Sequence, residues 1–91
     1  MSFRVKIITP EDVFFDGETA SLIAPGAEGY LGVLKDHAPL VTPLEKGTVT
    51  LKSAGAEKHF EINGGFLEVS KNQAVILVER ISEATAAASR V

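Results

Sequence analysis

The fold is indicated most clearly by residues 59–69, which read HFEINGGFLEV. Phe60 and Ile62 alternate with polar neighbours, and successive side chains of a β-strand point to opposite faces of a sheet. The Asn-Gly-Gly step at residues 63–65 predicts a tight hairpin or a β-bulge before a second strand that begins at Phe66. This stretch therefore predicts β structure with one buried face.

The same period of two recurs on both sides of that segment. Phe3, Val5 and Ile7 alternate with charged residues, and Val49 and Leu51 alternate with polar ones. Turn signals at short intervals separate about nine or ten candidate strands, with no helix-length pattern between them. We therefore expect an all-β domain, either a sandwich or a barrel.

Three local features refine this expectation. Residues 74–78, which read AVILV, are apolar on both faces and are typical of an interior strand. Pro39 and Pro43 lie close together, and proline cannot donate to a β-ladder, so this segment is expected to be an edge strand or an irregular crossing. Of the pair Phe14 and Phe15, one ring should lie in the core, and the other should form a second core layer or an exposed contact.

The composition changes at the C-terminal end, where residues 82–89 read SEATAAAS. Ser82 is a suitable N-cap, and the alanines favour helix over about two turns. Isolated helices this short are marginal in water, so the segment should fray unless it docks. We expect a β domain over residues 1–82 and a short helical or frayed tail over residues 83–91.

Composition excludes several classes of function. The 91 residues fit one domain, and the net charge is −3, with Lys and Arg scattered instead of clustered as nucleic acid would require. There is no cysteine for a disulfide or a thiolate site, and no stretch approaches the ~20 apolar residues of a membrane span. Any membrane association is expected to run through another protein. The mean hydropathy of +0.17 is high for so short a chain, and some apolar surface could therefore serve a partner.

The residues that usually carry chemistry form no recognisable site. His37 and His59, the only histidines, lie on different predicted elements without a third metal ligand nearby. We expect His59 to be a solvated strand residue and the His37 ring to bond a nearby backbone group. No serine lies in a Gly-x-Ser-x-Gly turn, and no dinucleotide or phosphate-loop motif is present. We predict no catalytic, metal-binding or cofactor-binding residue.

Residues 26–32, GAEGYLG, form a loop with three glycines. Such a loop is either only a structural turn or a demanding shape that presents Tyr30 as a contact residue at its tip. Both interpretations stay open on the residues alone.

Three segments, taken in order and spacing, strongly resemble the epsilon subunits of F-type ATP synthases. They are residues 29–34 (GYLGVL), residues 37–44 (HAPLVTPL) followed by Gly47, and residues 64–69 (GGFLEV). Residues 5–11 (VKIITPE) and 72–77 (NQAVIL) fit in the same register, so the resemblance covers roughly residues 3 to 82. It implies a β-sandwich of two five-stranded sheets.

The resemblance also implies a function. Such subunits lie in the central stalk of the rotary synthase, bind the gamma subunit and the c-ring, and couple ion-driven ring rotation to ATP synthesis without catalysing a reaction. The implied location is peripheral, on the cytoplasmic face of a bacterial inner membrane or an equivalent energy-coupling membrane. No cofactor is implied.

The site residues follow from the matching positions. The implied c-ring contacts are Glu28, Gly29, Tyr30, Leu31 and Gly32, and the implied gamma contacts are His37, Ala38, Pro39 and Thr42. Tyr30 stands where several relatives carry an acidic residue, and Lys35 stands where proline is frequent.

Longer relatives continue into a helical hairpin that binds ATP or inhibits hydrolysis. That hairpin needs roughly 40 more residues at 1.5 Å of rise per helical residue, so neither ATP binding nor hairpin-type inhibition is expected here. Two other classes stay open: a free-standing β-sandwich module that binds a ligand or peptide, and a small enzyme. The first has few aromatic platforms for sugar, and the second has no visible base–nucleophile pair.

Overall fold

The computed structural model describes residues 2–84, and all regular structure in this part of the chain is β-strand. The all-β prediction is confirmed. The eight strands are β1 (Phe3–Ile8), β2 (Val13–Thr19), β3 (Ser21–Gly26), β4 (Gly29–Leu34), β5 (Leu40–Ser53), β6 (Ala56–Ser70), β7 (Gln73–Leu77) and β8 (Ile81–Ala84).

Hydrogen bonds join the strands in the order β2-β1-β7-β6-β5-β3-β4, and β8 pairs with β6. β5 has 14 residues and β6 has 15, so each is long enough to change neighbours along its length. Residues 66–70 of β6 pair with β7, whereas residues 59–62 pair with β8. One half of the domain contains β1, β2 and β7, the other half contains β3, β4 and β8, and β5 and β6 run through both. The strands therefore form one continuous hydrogen-bonded system instead of the two separate five-stranded sheets expected.

The Asn-Gly-Gly step lies inside β6 and forms neither the hairpin nor the bulge predicted from it. β6 pairs with β5 in one constant register, from Leu40 opposite Val69 to Ser53 opposite Ala56, and the ladder skips only the position of Glu45 and Gly64. Gly64 and Gly65 have φ values of +118° and +153°, which residues with a side chain rarely adopt. The glycines therefore adapt the backbone within one long strand, which is why fewer strands form than the turn signals predict.

One apolar cluster takes side chains from both halves of the domain. Ile7, Leu67 and Ile76 come from one half, and Leu22 and Val49 come from the other. All five are essentially inaccessible to solvent. The strands are therefore held by a shared core, as their alternation predicts.

The two neighbouring phenylalanines divide as expected between core and surface. Phe15 packs against the core cluster, whereas Phe14 is 38% exposed. Both rings contact Phe60 of β6, with centroid separations of 5.5 Å for Phe14 and 5.9 Å for Phe15. Phe60 therefore packs β2 against the part of β6 that pairs with β8.

β7 is interior in the strand order, as predicted, but it is not buried on both faces. Ala74 and Ile76 are buried, whereas Leu77 is 46% exposed. The described residues supply no second layer over that outer face. The segment between Pro39 and Pro43 is an edge, since residues 40–43 pair with β6 alone and β3 joins β5 only from Leu44 onward.

The C-terminal prediction fails where the structure describes it. Ser82, the expected helix N-cap, lies in β8, which pairs with residues 59–62 and ends at Ala84. Backbone pairing with β6 satisfies this segment better than an isolated short helix could. The rest of the predicted tail, residues 85–91, lies outside the described residues. Within residues 2–84, no helix is long and apolar enough to cross a membrane.

Candidate partner-binding surfaces

The glycine-rich segment is a β-hairpin between β3 and β4. Gly26 pairs with Gly29, which leaves Ala27 and Glu28 as an exposed two-residue turn. Gly29 has a φ of +122°, and a Cβ atom on Gly26 would lie 2.9 Å from the Gly29 carbonyl oxygen. Both glycines are therefore required by the turn.

The predicted ring-facing residues lie together on this hairpin. Glu28 and Gly29 are exposed at its end, Gly32 is exposed along β4, and Leu31 is partly buried against the core. Tyr30 is 60% exposed, but it pairs with Pro25 inside the β-ladder and does not stand at the tip. The tip itself is Ala27 and Glu28.

The connection between β4 and β5 carries three of the four predicted gamma contacts. Its start is shaped by Asp36, which has a φ of +67° and whose backbone N–H donates to Asn72 Oδ1 over 2.8 Å. The His37 ring bonds the Ala38 carbonyl oxygen through Nδ1 at 2.7 Å, which confirms the backbone bond predicted for this histidine. Ala38 and Pro39 are exposed.

Thr42, the fourth predicted gamma contact, lies on β5 and not in this connection. It pairs with buried Leu67, so it points to the opposite face of β5 from Val41. Thr42 and Pro43 instead line a depression of about 440 Å³ together with residues 26–31 of the hairpin. The structure thus brings Thr42 to the predicted ring-facing surface.

Asn72 is expected to hold the β4–β5 connection in place. In Asn72→Gly the left-handed backbone at this position (φ +60°) is kept, but the acceptor for the Asp36 N–H is lost. We expect the free energy of unfolding to fall by about 1 kcal/mol, a typical value for one hydrogen bond. Amide hydrogen exchange should speed up at Asp36 and His37 in particular.

Asn72→Asp is the matched control, because it keeps an acceptor oxygen and a residue that tolerates the left-handed region. Its exchange rates at Asp36 and His37 should stay close to those of the unaltered chain. Equal acceleration in both variants would mean that the side-chain acceptor does not hold the loop.

A second surface, which no local sequence pattern indicates, crosses one face of the domain. In-register neighbours on five strands form a continuous line, here called the outer apolar row: Pro43, Phe66, Leu77, Ile8 and Val13. Phe66 is 54% exposed, and Val13 is 51% exposed. Val41, which is 69% exposed, lies on the same face two residues before Pro43. A groove of about 420 Å³ runs along Ile8, Phe66 and Leu77.

The same face becomes polar away from this row. Arg4 Nε donates to Asp16 Oδ1 over 2.8 Å, and this bond lowers the pKa of the Asp16 carboxyl. Arg4 also pairs in the ladder with Gln73, which pairs with Ser70. The face is therefore amphipathic, with an apolar stripe at one end and charged groups at the other.

The second histidine belongs to a polar cluster on the other half of the domain. His59 Nε2 lies 2.9 Å from Glu57 Oε1, and His59 Nδ1 lies 3.2 Å from Thr50 Oγ1. The hydrogen bond to His59, and then that to Lys52, lowers the pKa of Glu57. Within the described part of the chain, no three potential ligand residues group together as a metal site.

Comparisons with known proteins agree with one another. Residues 2–84 match the family described as "ATP synthase, Delta/Epsilon chain, beta-sandwich domain". The ATP synthase epsilon chain of Moorella thermoacetica is 51% identical over 79 residues, which cover 86% of this chain and 59% of that protein. The epsilon chain of Chlorobium limicola is 46% identical over 82 residues, covering 89% of this chain and 93% of that protein.

The fold is also similar to a chain in the Euglena gracilis mitochondrial ATP synthase structure of OSCP, F1 and c-ring. The TM-score is 0.85 at 20% identity, and the match covers 90% of this chain and 53% of that one. The strand pattern, the glycine hairpin and the family match over residues 2–84 lead to one assignment: this chain belongs to the ATP synthase delta/epsilon family and forms its β-sandwich domain.

Proposed function

We propose that this chain is a non-catalytic subunit of the central stalk of a rotary ATP synthase. In this role it binds the gamma subunit and the c-ring and couples ion-driven ring rotation to ATP synthesis. The family membership supports the complex, and the outer apolar row is the observation that supports a protein partner on this domain. The synthase would hold the chain at the cytoplasmic face of a bacterial inner membrane, or at an equivalent membrane, without direct insertion.

The outer apolar row is well suited to the gamma subunit. Phe66 and Leu77 of this row line the groove, and a partner side chain that enters the groove would be removed from water. Burying one large aliphatic or aromatic side chain contributes about 1.5–3 kcal/mol, so several contacts along the row can offset much of the free-energy cost of association. The exposed connection at Ala38 and Pro39 leads directly into β5 and Val41, which extends the same surface.

The β3–β4 hairpin is proposed as the ring-facing surface. Glu28 and Tyr30 offer a carboxylate and an amphipathic ring on an exposed, turn-constrained element, and Thr42 adjoins them. Two contact surfaces on one rigid domain allow rotation to pass from ring to gamma without slip. We further propose that the halves joined through β5 and β6 act as two five-stranded layers of a sandwich. The absence of hairpin-type inhibition stays a prediction.

Co-purification tests the proposal. The tagged chain and the gamma subunit of the same organism should be recovered together at both low and moderate salt, because apolar contacts are not screened by ions. Recovery of the folded chain without gamma under both conditions would contradict the proposal. A free-standing ligand-binding module would give that result.

A further inference from the structure

We infer that Tyr30 is a positioning residue that ties the β3–β4 hairpin to β5 through its hydroxyl group. The hydrogen bond stands on the geometry of this chain alone. Its effect on the complex, which is to stiffen the surface that meets the c-ring, rests on the proposed function.

The first observation is a break in the ladder between β3 and β5. Ile23 pairs with Thr50, but the next pair joins Gly26 to Leu44. Two residues of β3 therefore span the same distance as residues 45–49 of β5. Backbone groups of β5 in this interval lose their regular partners on β3, and a backbone N–H without a partner costs free energy.

Tyr30 supplies the partner for one of these groups. The Thr48 backbone N–H donates to Tyr30 Oη over 3.1 Å. Tyr30 stands on β4, so its side chain passes Pro25 of β3 to reach a strand that β4 does not pair with. The bond is therefore a cross-tie over an intervening strand.

Gly47 provides the room that this arrangement needs. A Cβ atom at position 47 would lie 2.7 Å from Tyr30 Oη and 2.8 Å from Pro25 Cβ. Gly47 is not one of the glycines with positive φ, so its backbone does not itself demand glycine. The close approach of Tyr30 and Pro25 explains why no side chain fits here.

The cross-tie acts where the hairpin has least other support. β4 is the last strand in the order, and the β3–β5 ladder resumes only at Gly26, immediately before the exposed turn. Tyr30 thus connects the β3–β4 hairpin, the proposed ring-facing surface, to β5. The same strand contributes Pro43 to the outer apolar row, the proposed gamma-facing surface.

Tyr30→Phe removes the hydroxyl and keeps the ring, so it tests the tie directly. In the isolated full chain we expect amide hydrogen exchange at Thr48 to rise by about fivefold or more, as the loss of one hydrogen bond implies. Exchange should also rise at Gly29, the first ladder residue after the turn, while the amides of Ile7 and Ile76 keep their rates. Uniform acceleration at all of these sites, or none at Thr48, would overturn the inference.

Gly47→Ala is the second variant, because a methyl group at this position should push the Tyr30 hydroxyl away from Thr48. It should reproduce the local exchange pattern of Tyr30→Phe. Normal exchange at Thr48 in Gly47→Ala would contradict the tie.

A functional measurement tests the mechanical part. In the assembled synthase, Tyr30→Phe should lower ATP synthesis at a fixed ion gradient by about twofold or more, while its affinity for gamma is unchanged. If exchange at Thr48 rises but synthesis is unaffected, the tie exists and the ring-facing role of the hairpin is wrong. If Tyr30→Phe matches the unaltered chain in both assays and only Tyr30→Ala lowers ATP synthesis, the aromatic side chain of Tyr30 is itself a direct contact. The inference is then wrong.

Discussion

Replacing Phe66 with glutamate should weaken binding of the gamma subunit by roughly a hundredfold, or about 3 kcal/mol, if the outer apolar row is the docking surface. Phe66 lies within the row, between Pro43 and Leu77, and it borders the groove. Glutamate would remove the aromatic contact and place an unpaired charge in a desolvated interface. Titration calorimetry with isolated gamma measures the change.

The domain itself should tolerate this substitution, since 54% of Phe66 is exposed before any partner binds. Ser70→Glu is the matched control, because it adds the same charge to the same strand and face, at the polar end. We expect less than about a threefold effect on affinity there. Equal losses for both variants would point to long-range charge repulsion, and no loss for Phe66→Glu would place the interface elsewhere.

Replacing Gly65 with alanine should strongly destabilise the domain, with a loss of about 2–4 kcal/mol of unfolding free energy. The added methyl group would clash with the Leu77 carbonyl oxygen and would lie 2.9 Å from Val78 Cγ1. The φ of +153° is also unfavourable for alanine. Since Leu77 ends β7, relief of the clash would require that strand to separate from β6.

Urea unfolding followed by circular dichroism gives the comparison. Gly32→Ala serves as control, because a Cβ atom there would come no closer than 4.0 Å to a neighbouring atom, and its φ is not positive. The midpoint should fall strongly for Gly65→Ala and change little for Gly32→Ala. Similar midpoints for the two variants would mean that β6 does not depend on the close approach at Gly65.

The strands were predictable because alternation is a local property. Phe3, Val5 and Ile7 disclose a buried face within six residues, and no knowledge of their partners is needed. The role of Gly64 and Gly65 was not predictable in the same way. A glycine pair permits both a turn and a positive-φ irregularity within a strand, and only the constant register with β5 on both sides of the pair decides between them.

The candidate surfaces also differ in whether a local sequence pattern indicates them. The glycine spacing at residues 26–32 indicated a turn, which the structure has at Ala27 and Glu28, but it placed Tyr30 at the tip instead of inside the ladder. The family resemblance alone proposed the contacts of this hairpin. The outer apolar row was beyond reach, because its five side chains come from five strands that meet only through register. The tie from Tyr30 was hidden as well, since Thr48 needs a partner only where β5 loses its pairing with β3. Residues 74–78 did carry a usable signal, as an apolar strand that is not covered on both faces must expose Leu77.

Because the chain has no cysteine, one introduced thiol can report directly on the proposed gamma interface. Val41→Cys places it beside the outer apolar row, and Ala54→Cys places a control in the exposed turn at the other end of β5. The decisive measurement is the rate of thiol labelling with and without saturating gamma. Gamma should slow labelling of Val41→Cys by at least about tenfold and leave Ala54→Cys unchanged. Unchanged labelling of Val41→Cys in a complex that has demonstrably formed would contradict the assignment of this face to gamma.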